Sequence, residues 1–388
     1  MKNRYFLIAL CAVLLAATWI VQAGCQQSGT GAGGTLSAGT AASADEPEII
    51  TPPQPKPRFT MVAVGDIMLD RNVAKAIQDN GYRSILEKVR ELTRSPDVTF
   101  ANLECPLSDE GPHAPSKYCI FRAPPETAEV LADGGIDIVS LANNHTLNAG
   151  RKGVLNTLDT LEKHGIAYAG CRRDRDNCWE PTYLAAGDYT LGFMACTDLA
   201  FEHGSYCKVG DREVFAGRIA EAAEHCDFLF VSVHWGHEYH SEASSSQQNL
   251  AHFIIDSGAD VVLGHHPHTL QGIEVYKGRP ILYSMGNFVF DQREGERMES
   301  AIFHLTYIEN WGWSIFAKPI WIPRSRMGPI YPETNRAAKI AERLAHLSAQ
   351  LGTDASVKHN KVWITIPAAH PDIADAAETA SKGDSHAQ

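Results

Sequence analysis

Thr60-Met61-Val62-Ala63-Val64-Gly65-Asp66 is a short apolar run that stops on a glycine and a carboxylate. Its length and its branched apolar side chains are those of a buried strand. Four more runs repeat the pattern. Val98–Ala101 leads into Asn102-Leu103-Glu104, and Ile136–Ala142 into Asn143-Asn144-His145. Phe228–Val233 leads into His234, and Ala259–Leu263 into Gly264-His265-His266-Pro267-His268. In layered α/β sheets ligands gather beyond the carboxyl ends of the strands, so the five endings are expected to meet at one site. Taken singly, each residue has an ordinary reading: Asp66 as a turn residue, Glu104 as a solvated carboxylate, His145 as a helix cap. Their shared position at a strand end is what argues for a common centre. Asp, Glu, Asn and His together form a mixed oxygen and nitrogen donor set, suited to Mn, Fe or Zn rather than Ca.

Between these runs lie helical patterns at Asn72–Asn80, Ile85–Arg94, Glu126–Ala132, Gly153–His164 and Gln247–Asp256. Gly134-Gly135, Gly165 and Gly258 terminate three of them. Ile281–Ser284 reads as a further strand, followed by Met285-Gly286-Asn287-Phe288. Strands alternating with helices predict an α/β fold, a layered domain with mixed or largely parallel sheets flanked by helices. The domain is expected over residues 58–330. A C-terminal extension, 331–368, carries an amphipathic helix over Glu333–Leu351 and a strand over Lys361–Ile366. Residues 369–388 are rich in Ala, Asp and Ser and poor in bulky apolar side chains, which predicts a disordered tail.

The N-terminus reads as an export signal. Lys2 and Arg4 precede an uncharged apolar stretch, Tyr5–Val21, and Gln22-Ala23-Gly24-Cys25 places small residues before a cysteine. The pattern resembles a bacterial lipobox, with residues 1–24 removed and Cys25 lipidated, although Gln22 stands where an aliphatic residue is usual. An uncleaved N-terminal anchor is the alternative, and either version places the domain outside the cytoplasm. Residues 25–57 then form a tether, flexible at first and stiffened by Pro-Pro-Gln-Pro-Lys-Pro at its end. Such a chain spans roughly 30 Å. Of the nine cysteines, seven lie beyond Cys25, and an oxidising compartment permits disulfides among them. Nearest neighbours in sequence point to Cys171–Cys178, Cys105–Cys119 and Cys196–Cys207. The formal net charge of −12, with no basic stripe, argues against nucleic-acid binding.

Six motifs in order, from Gly65-Asp66-Ile67-Met68-Leu69-Asp70-Arg71 to Tyr283-Ser284-Met285-Gly286-Asn287-Phe288, resemble the CapA/PgsA-type capsule and poly-γ-glutamate biosynthesis family. Between them lie Ala101-Asn102-Leu103-Glu104, Ala142-Asn143-Asn144-His145-Thr146, Val233-His234-Trp235-Gly236-His237-Glu238-Tyr239 and Gly264-His265-His266-Pro267-His268. That family is a branch of the calcineurin-like metallophosphoesterase architecture. The resemblance implies one or two divalent transition-metal ions held by Asp66, Glu104, Asn144, His234, His266 and His268. It implies His145 as a catalytic acid beside the substrate. Met68 departs from the wider Asp-x-His pattern, and Glu104 stands where Asp is usual. One nitrogen ligand is therefore missing unless His237 or His265 supplies it. His265, His237 and Asn287 are alternative ligands or groups that orient a ligand.

Two functions follow. One is a metal-dependent hydrolase that cuts a phosphoester or γ-glutamyl bond of an anionic surface polymer or its precursor. The other is a non-catalytic accessory lipoprotein, working beside membrane synthesis and export subunits. Both hold the protein at a membrane surface through a lipid on Cys25, facing the periplasm or the cell exterior. Cys25→Ser is expected to abolish lipid labelling and to release or mislocalise the protein in a fractionation assay. Wild-type protein that fractionates as soluble in the cytoplasm with Met1 retained would remove the export reading.

Overall fold

A computed structural model of the chain describes residues 58–114, 119–174, 177–199 and 206–368. The signal-like segment, Cys25, the tether and the 369–388 tail lie outside the described residues. The strands are β1 (Arg58–Ile67), β2 (Val98–Leu103), β3 (Ile138–Ser140), β4 (Ala167–Ala169), β5 (Thr182–Ala186), β6 (Tyr189–Thr197), β7 (Phe228–His234), β8 (Val261–His265), β9 (Ile273–Tyr276), β10 (Arg279–Leu282), β11 (Asn287–Val289), β12 (Glu299–Ile308), β13 (Gly312–Trp321), β14 (Ser356–Lys358) and β15 (Lys361–Pro367). They form two sheets. The first runs β14-β15-β13-β12-β1-β2-β3-β4, with β11 also paired to β1, and the second runs β5-β6-β7-β8-β10-β9. Strands β1 to β4 are mutually parallel, while β12 and the strands beyond it are antiparallel. In the second sheet β6, β7, β8 and β10 are parallel, with antiparallel β5 and β9 at the edges. Both sheets are therefore mixed.

The alternation of side chains along each strand builds the layers. On β1, Phe59, Met61 and Ala63 enter the core between the sheets, and Val62 and Val64 face the opposite way. That second face is covered by Val154, Leu158 and Leu161 of the helix Gly150–Lys163. On β7, Phe230 points into the central core and Leu229, Val231 and Val233 point outward. There they meet Ile219, Leu250 and Ile254 of the helices Arg212–Ala223 and Ser245–Asp256. Phe100, Phe193 and Phe230 stack across the sheet interface, with centroids 6.0 and 5.1 Å apart. The arrangement is helix, sheet, sheet, helix, the layered α/β organisation the sequence predicts.

The C-terminal segment closes one end of this sandwich. Strand β15 pairs with β13, and the helix Thr334–Gln350 buries Ile340, Ala341 and Leu344 in the central core. Ser348 Oγ accepts a hydrogen bond from Ile273 N of β9, so the segment touches both sheets. Two glycines are required by backbone approach at the other end. A Cβ on Gly65 would lie 1.9 Å from Gly286 O, and one on Gly264 would lie 2.0 Å from Tyr283 O. Each glycine stands immediately before a candidate ligand. Among the described residues no helix is long and apolar enough to cross a membrane.

Two expectations need correction. The helix over Ile85–Arg94 is broken into Arg83–Leu86 and Arg90–Arg94, because Val89 leaves helical geometry at φ −120°. The disulfide pairs proposed from sequence neighbours are also not formed. Instead Cys178 bonds to Cys207, 29 residues on, with Cα atoms 5.4 Å apart. Cys196 is buried on β6, and the buried Cys105 thiol accepts a hydrogen bond from Leu69 N at 3.2 Å, so neither meets its neighbour in sequence. Sequence spacing carries no information on connectivity once strands pull neighbours apart. In the chain-entropy account, closing a loop of this size contributes ~3–4 kcal/mol. Cys207→Ala is therefore expected to lower the unfolding free energy by that order, with a matching fall in the denaturant midpoint, and wild-type protein should match it in reducing agent. An unchanged midpoint under both conditions would refute the bond.

Candidate metal centre

The five strand endings do converge, but from two sheets. Asp66 comes from β1, and Glu104 and Asn144 from the loops after β2 and β3. His234 ends β7, His265 ends β8, and His266 and His268 follow β8. The link between the sheets is a hydrogen bond from His265 Nδ1 to Asp66 Oδ1 at 3.0 Å. Asn102 Nδ2 donates to the same oxygen at 2.9 Å and to Glu104 Oε2 at 3.3 Å, tying the two carboxylates together.

Around these bonds the donor atoms form two groups. Asp66, Glu104 and His234 offer ligand atoms within 4.8 Å of one another, and so do Glu238, His266 and His268. His234 Nε2 donates to Asn144 Oδ1 at 2.9 Å, which leaves the Nδ1 lone pair for another partner. That atom is buried with no hydrogen bond, as are Asp66 Oδ2, Glu104 Oε1, His265 Nε2 and His266 Nδ1. Unpaired buried acceptors are rare because each costs free energy. Asp66, Glu104, His234 and His266 each bring such an atom to the grouped donors, and a bound cation would satisfy them. The residues therefore fit a metal centre.

The electrostatics agree. Burial, reinforced by His266, holds His234 well below its ordinary pKa, and burial with His268 brings His266 down to about 4. Both rings are thus neutral, as ligands must be. Burial would raise Asp66, but His265 and His268 beside it hold it well below the usual carboxylate range. Glu104 is pushed up by burial and by the Asp66 charge. His268 resists burial because Glu104 and Asp66 face it, and it rises to about 9. Glu104 Oε1 and His268 Nε2 lie 3.5 Å apart, so the cation-free pair keeps a proton between them at neutral pH.

His145 stands apart from the ligands. Its Nδ1 donates to Asn148 Oδ1 at 2.9 Å, its ring packs on Phe121 at 4.3 Å, and its Nε2 lies 3.7 Å from Glu104 Oε1. Burial depresses its pKa to about 4. The ring borders a cleft of about 1040 Å³ that also exposes Asn144, His268, Glu238, Arg71 and Arg297. Arg71 pairs with Asp291 and lies over Phe121 at 4.8 Å, so its guanidinium is held at the cleft wall. Asn287 Oδ1 accepts from His268 Nδ1 at 3.0 Å and orients that ring. His237 is exposed, its ring 5.6 Å from that of His240, and belongs to neither ligand group. Met68 is buried among apolar side chains, and its sulfur accepts from Asp70 N at 3.1 Å. Sequence reasoning does not single out Glu238 or Asn148. The available signals are a carboxylate four residues beyond a ligand histidine, and an amide three residues beyond His145.

Residues 60–292 match the family described as bacterial capsule synthesis protein PGA_cap. The chain is similar to the PGA biosynthesis protein CapA of Bacillus subtilis (strain 168), 30% identical over 72% of this chain and 76% of that one. It is 31% identical to the capsule biosynthesis protein CapA of Bacillus anthracis, over 64% of each chain. A probable polyglutamine synthesis accessory protein of Mycobacterium tuberculosis (strain ATCC 25618 / H37Rv) is 28% identical over 54% of this chain and 61% of its own length.

The proton shared by Glu104 and His268 sets the pH dependence of metal uptake. A cation must displace it, so loading Zn²⁺ or Mn²⁺ at about pH 7.5 should release about one proton per chain. Affinity should rise with pH until the His268 proton is lost near about 9, and fall as pH drops. Calorimetry in buffers of different ionisation enthalpy reads this directly. Binding without proton release would exclude the pair from the ligand set.

Proposed function

The chain belongs to the bacterial capsule synthesis protein PGA_cap family, and we propose that it is an exported, metal-dependent hydrolase of an anionic surface polymer or its precursor. The bond cut is a phosphoester or a γ-glutamyl amide. The observation that carries this reading is the openness of the centre: Asn144, His145, His268 and Glu238 all line the large cleft. Metal sites that serve only structure are usually closed by protein ligands, whereas catalytic ones keep a face open to substrate.

Asp66, Glu104, Asn144, His234, His266 and His268 would hold one or two divalent cations, which would supply Lewis acidity to the scissile group. The remaining work falls to side chains. Arg71, fixed by Asp291 and the Phe121 ring, presents positive charge to an anionic group in the cleft. Asn148 keeps a proton on His145 Nδ1, which leaves Nε2, 3.3 Å from Asn144 Nδ2, as the nitrogen that can take up and give a proton. In the empty cleft that nitrogen is unprotonated, since burial holds the imidazole near about 4. An anionic substrate beside it favours the imidazolium, which can then protonate the leaving group. The names of the capsule and poly-γ-glutamate relatives, and the lipobox-like start, support placing this chemistry on an exported polymer.

The accessory reading is favoured by Met68, which puts a thioether where a nitrogen donor is expected. It also accords with the name of the mycobacterial relative. Under it the metal holds the fold or the polymer, and membrane synthesis and export subunits are the partners. Two substitutions separate the readings. His234→Ala should strip metal and activity together in metal analysis and in assays on phosphoesters and γ-glutamyl polymers. His145→Ala should retain metal yet lose roughly 10²–10⁴-fold in rate. Polymer output in cells that survives His145→Ala and fails with His234→Ala would leave the accessory role standing.

A further inference from the structure

The centre lacks the nitrogen donor that the wider Asp-x-His pattern places two residues after Asp66. Met68 cannot replace it: its side chain is fully buried in the core behind β1, and its sulfur is engaged by Asp70 N. A thioether is also a poor donor for the harder cations that carboxylates and imidazoles select. His265, the nearest histidine to Asp66, already donates its Nδ1 proton to that carboxylate. His237 stands outside both donor groups.

One carboxylate does reach the centre from a different strand. Glu238 lies in the loop after β7, and its ligand atom falls within 4.8 Å of those of His266 and His268. The loop holds it there by backbone bonds on both sides. Trp235 N donates to His265 O at 3.1 Å, and Tyr239 N donates to Pro267 O at 2.7 Å. The buried Trp235 ring donates from Nε1 to Tyr283 O at 2.8 Å. Gly236 and Tyr239 adopt left-handed φ values of 78° and 67°, which fold the intervening residues back over the histidine pair. His266 and His268 are themselves left-handed, at φ 98° and 57°. Left-handed backbone at non-glycine residues is costly, and it gathers at sites that need a fixed side-chain direction. Beside Glu238, His266 Nδ1 is buried and has no hydrogen-bond partner.

We propose that Glu238 is a metal ligand, completing with His266 and His268 the coordination that Met68 leaves short. The inference rests on the metal centre described above and adds a donor to it. Glu238 lines both the large cleft and a second one of about 470 Å³ that reaches His266. The ion it holds thus lies on the solvent side of the centre, while Asp66, Glu104 and His234 form the buried side. The buried ion should be the tighter of the two and the Glu238-linked ion the more readily exchanged.

The test uses the full chain, stripped with chelator and reloaded with Mn²⁺ or Zn²⁺ alone. Metal per chain is measured by emission spectroscopy, and affinity by calorimetry. Glu238→Gln keeps the size of the side chain but removes its charge, and should weaken the more loosely bound ion by at least about tenfold, the least expected from losing a direct ligand. Glu238→His, which restores a donor, should recover most of that loss. Equal stoichiometry and affinity in wild type and Glu238→Gln would overturn the assignment. Wild-type protein that takes up no metal would instead overturn the whole centre, a result distinct from the first. Because Glu238 is exposed, unchanged thermal denaturation of the metal-free variants checks that any loss comes from the ligand.

Discussion

The hydrogen bond from His265 to Asp66 joins the carboxyl ends of β1 and β8, and so joins the two sheets at the point where the donors meet. Both partners are fully or almost fully buried. A buried carboxylate with no donor would be driven to take up a proton, and a buried unpaired imidazole would leave one nitrogen unsatisfied. Each therefore makes the other tolerable, and the pair reinforces the backbone bonds from Asp66 N to Gly286 O at 2.9 Å and from Met285 N to Gly264 O at 3.2 Å, which tie the two strand ends together. The glycines just before them allow it: Gly65 and Gly264 let their strands approach Gly286 and Tyr283 more closely than any Cβ permits. Backbone contact sets the distance between the strands, and the polar pair sets the alignment.

From that anchor the donor set builds outward in order of burial. Asn102 bridges Asp66 to Glu104, and Asn143 Nδ2 reaches back to Asn102 Oδ1 at 3.1 Å and to Leu103 O at 2.8 Å. Asn102 satisfies one oxygen of each carboxylate, and Asn143 holds Asn102 in place. Asp66, Glu104 and His234 bring ligand atoms within 4.8 Å of one another. An apolar core of the same shape would tolerate none of them, so the polar shell is arranged for something it does not itself contain.

Much of this was legible because the chemistry sits at a repeated position. A buried strand declares itself by its apolar run, and the residue that ends it is held at the sheet's edge. Asp66, Glu104, Asn144 and His234 could be found in that way without any knowledge of pairing order. The sequence did not reveal that β1, β2 and β3 lie in one sheet while β7 and β8 lie in another, since all five runs look alike. The long hairpin β12–β13 alternates half-buried His304, Thr306, Ser314 and Lys318 with buried Leu305, Ile315 and Ala317, a period of two that marks strands but not the sheet they join. Cys178 and Cys207 meet through the fold of two loops, and no local spacing encodes that. Glu238 escaped notice for the opposite reason: it follows His234 so closely that it reads as a solvated loop residue. The bonds from Trp235 N to His265 O and from Tyr239 N to Pro267 O hold its loop beside the histidine pair.

The left-handed histidines show how the centre is stabilised. His266 and His268 hold backbone conformations that cost about 1–3 kcal/mol each, and neither is a glycine that would adopt them freely. Pro267 between them limits the loop's other options, because its φ is fixed and it has no N–H to donate. Strain of this size, added to buried acceptors without donors, makes the cation-free centre the least favourable part of a well-packed core. Any cation that binds the folded chain and not the unfolded one stabilises it in proportion to its affinity and concentration. The glycine contacts, the interlocked amides and the left-handed loop form one arrangement, in which the scaffold holds the buried donors together at the strand ends.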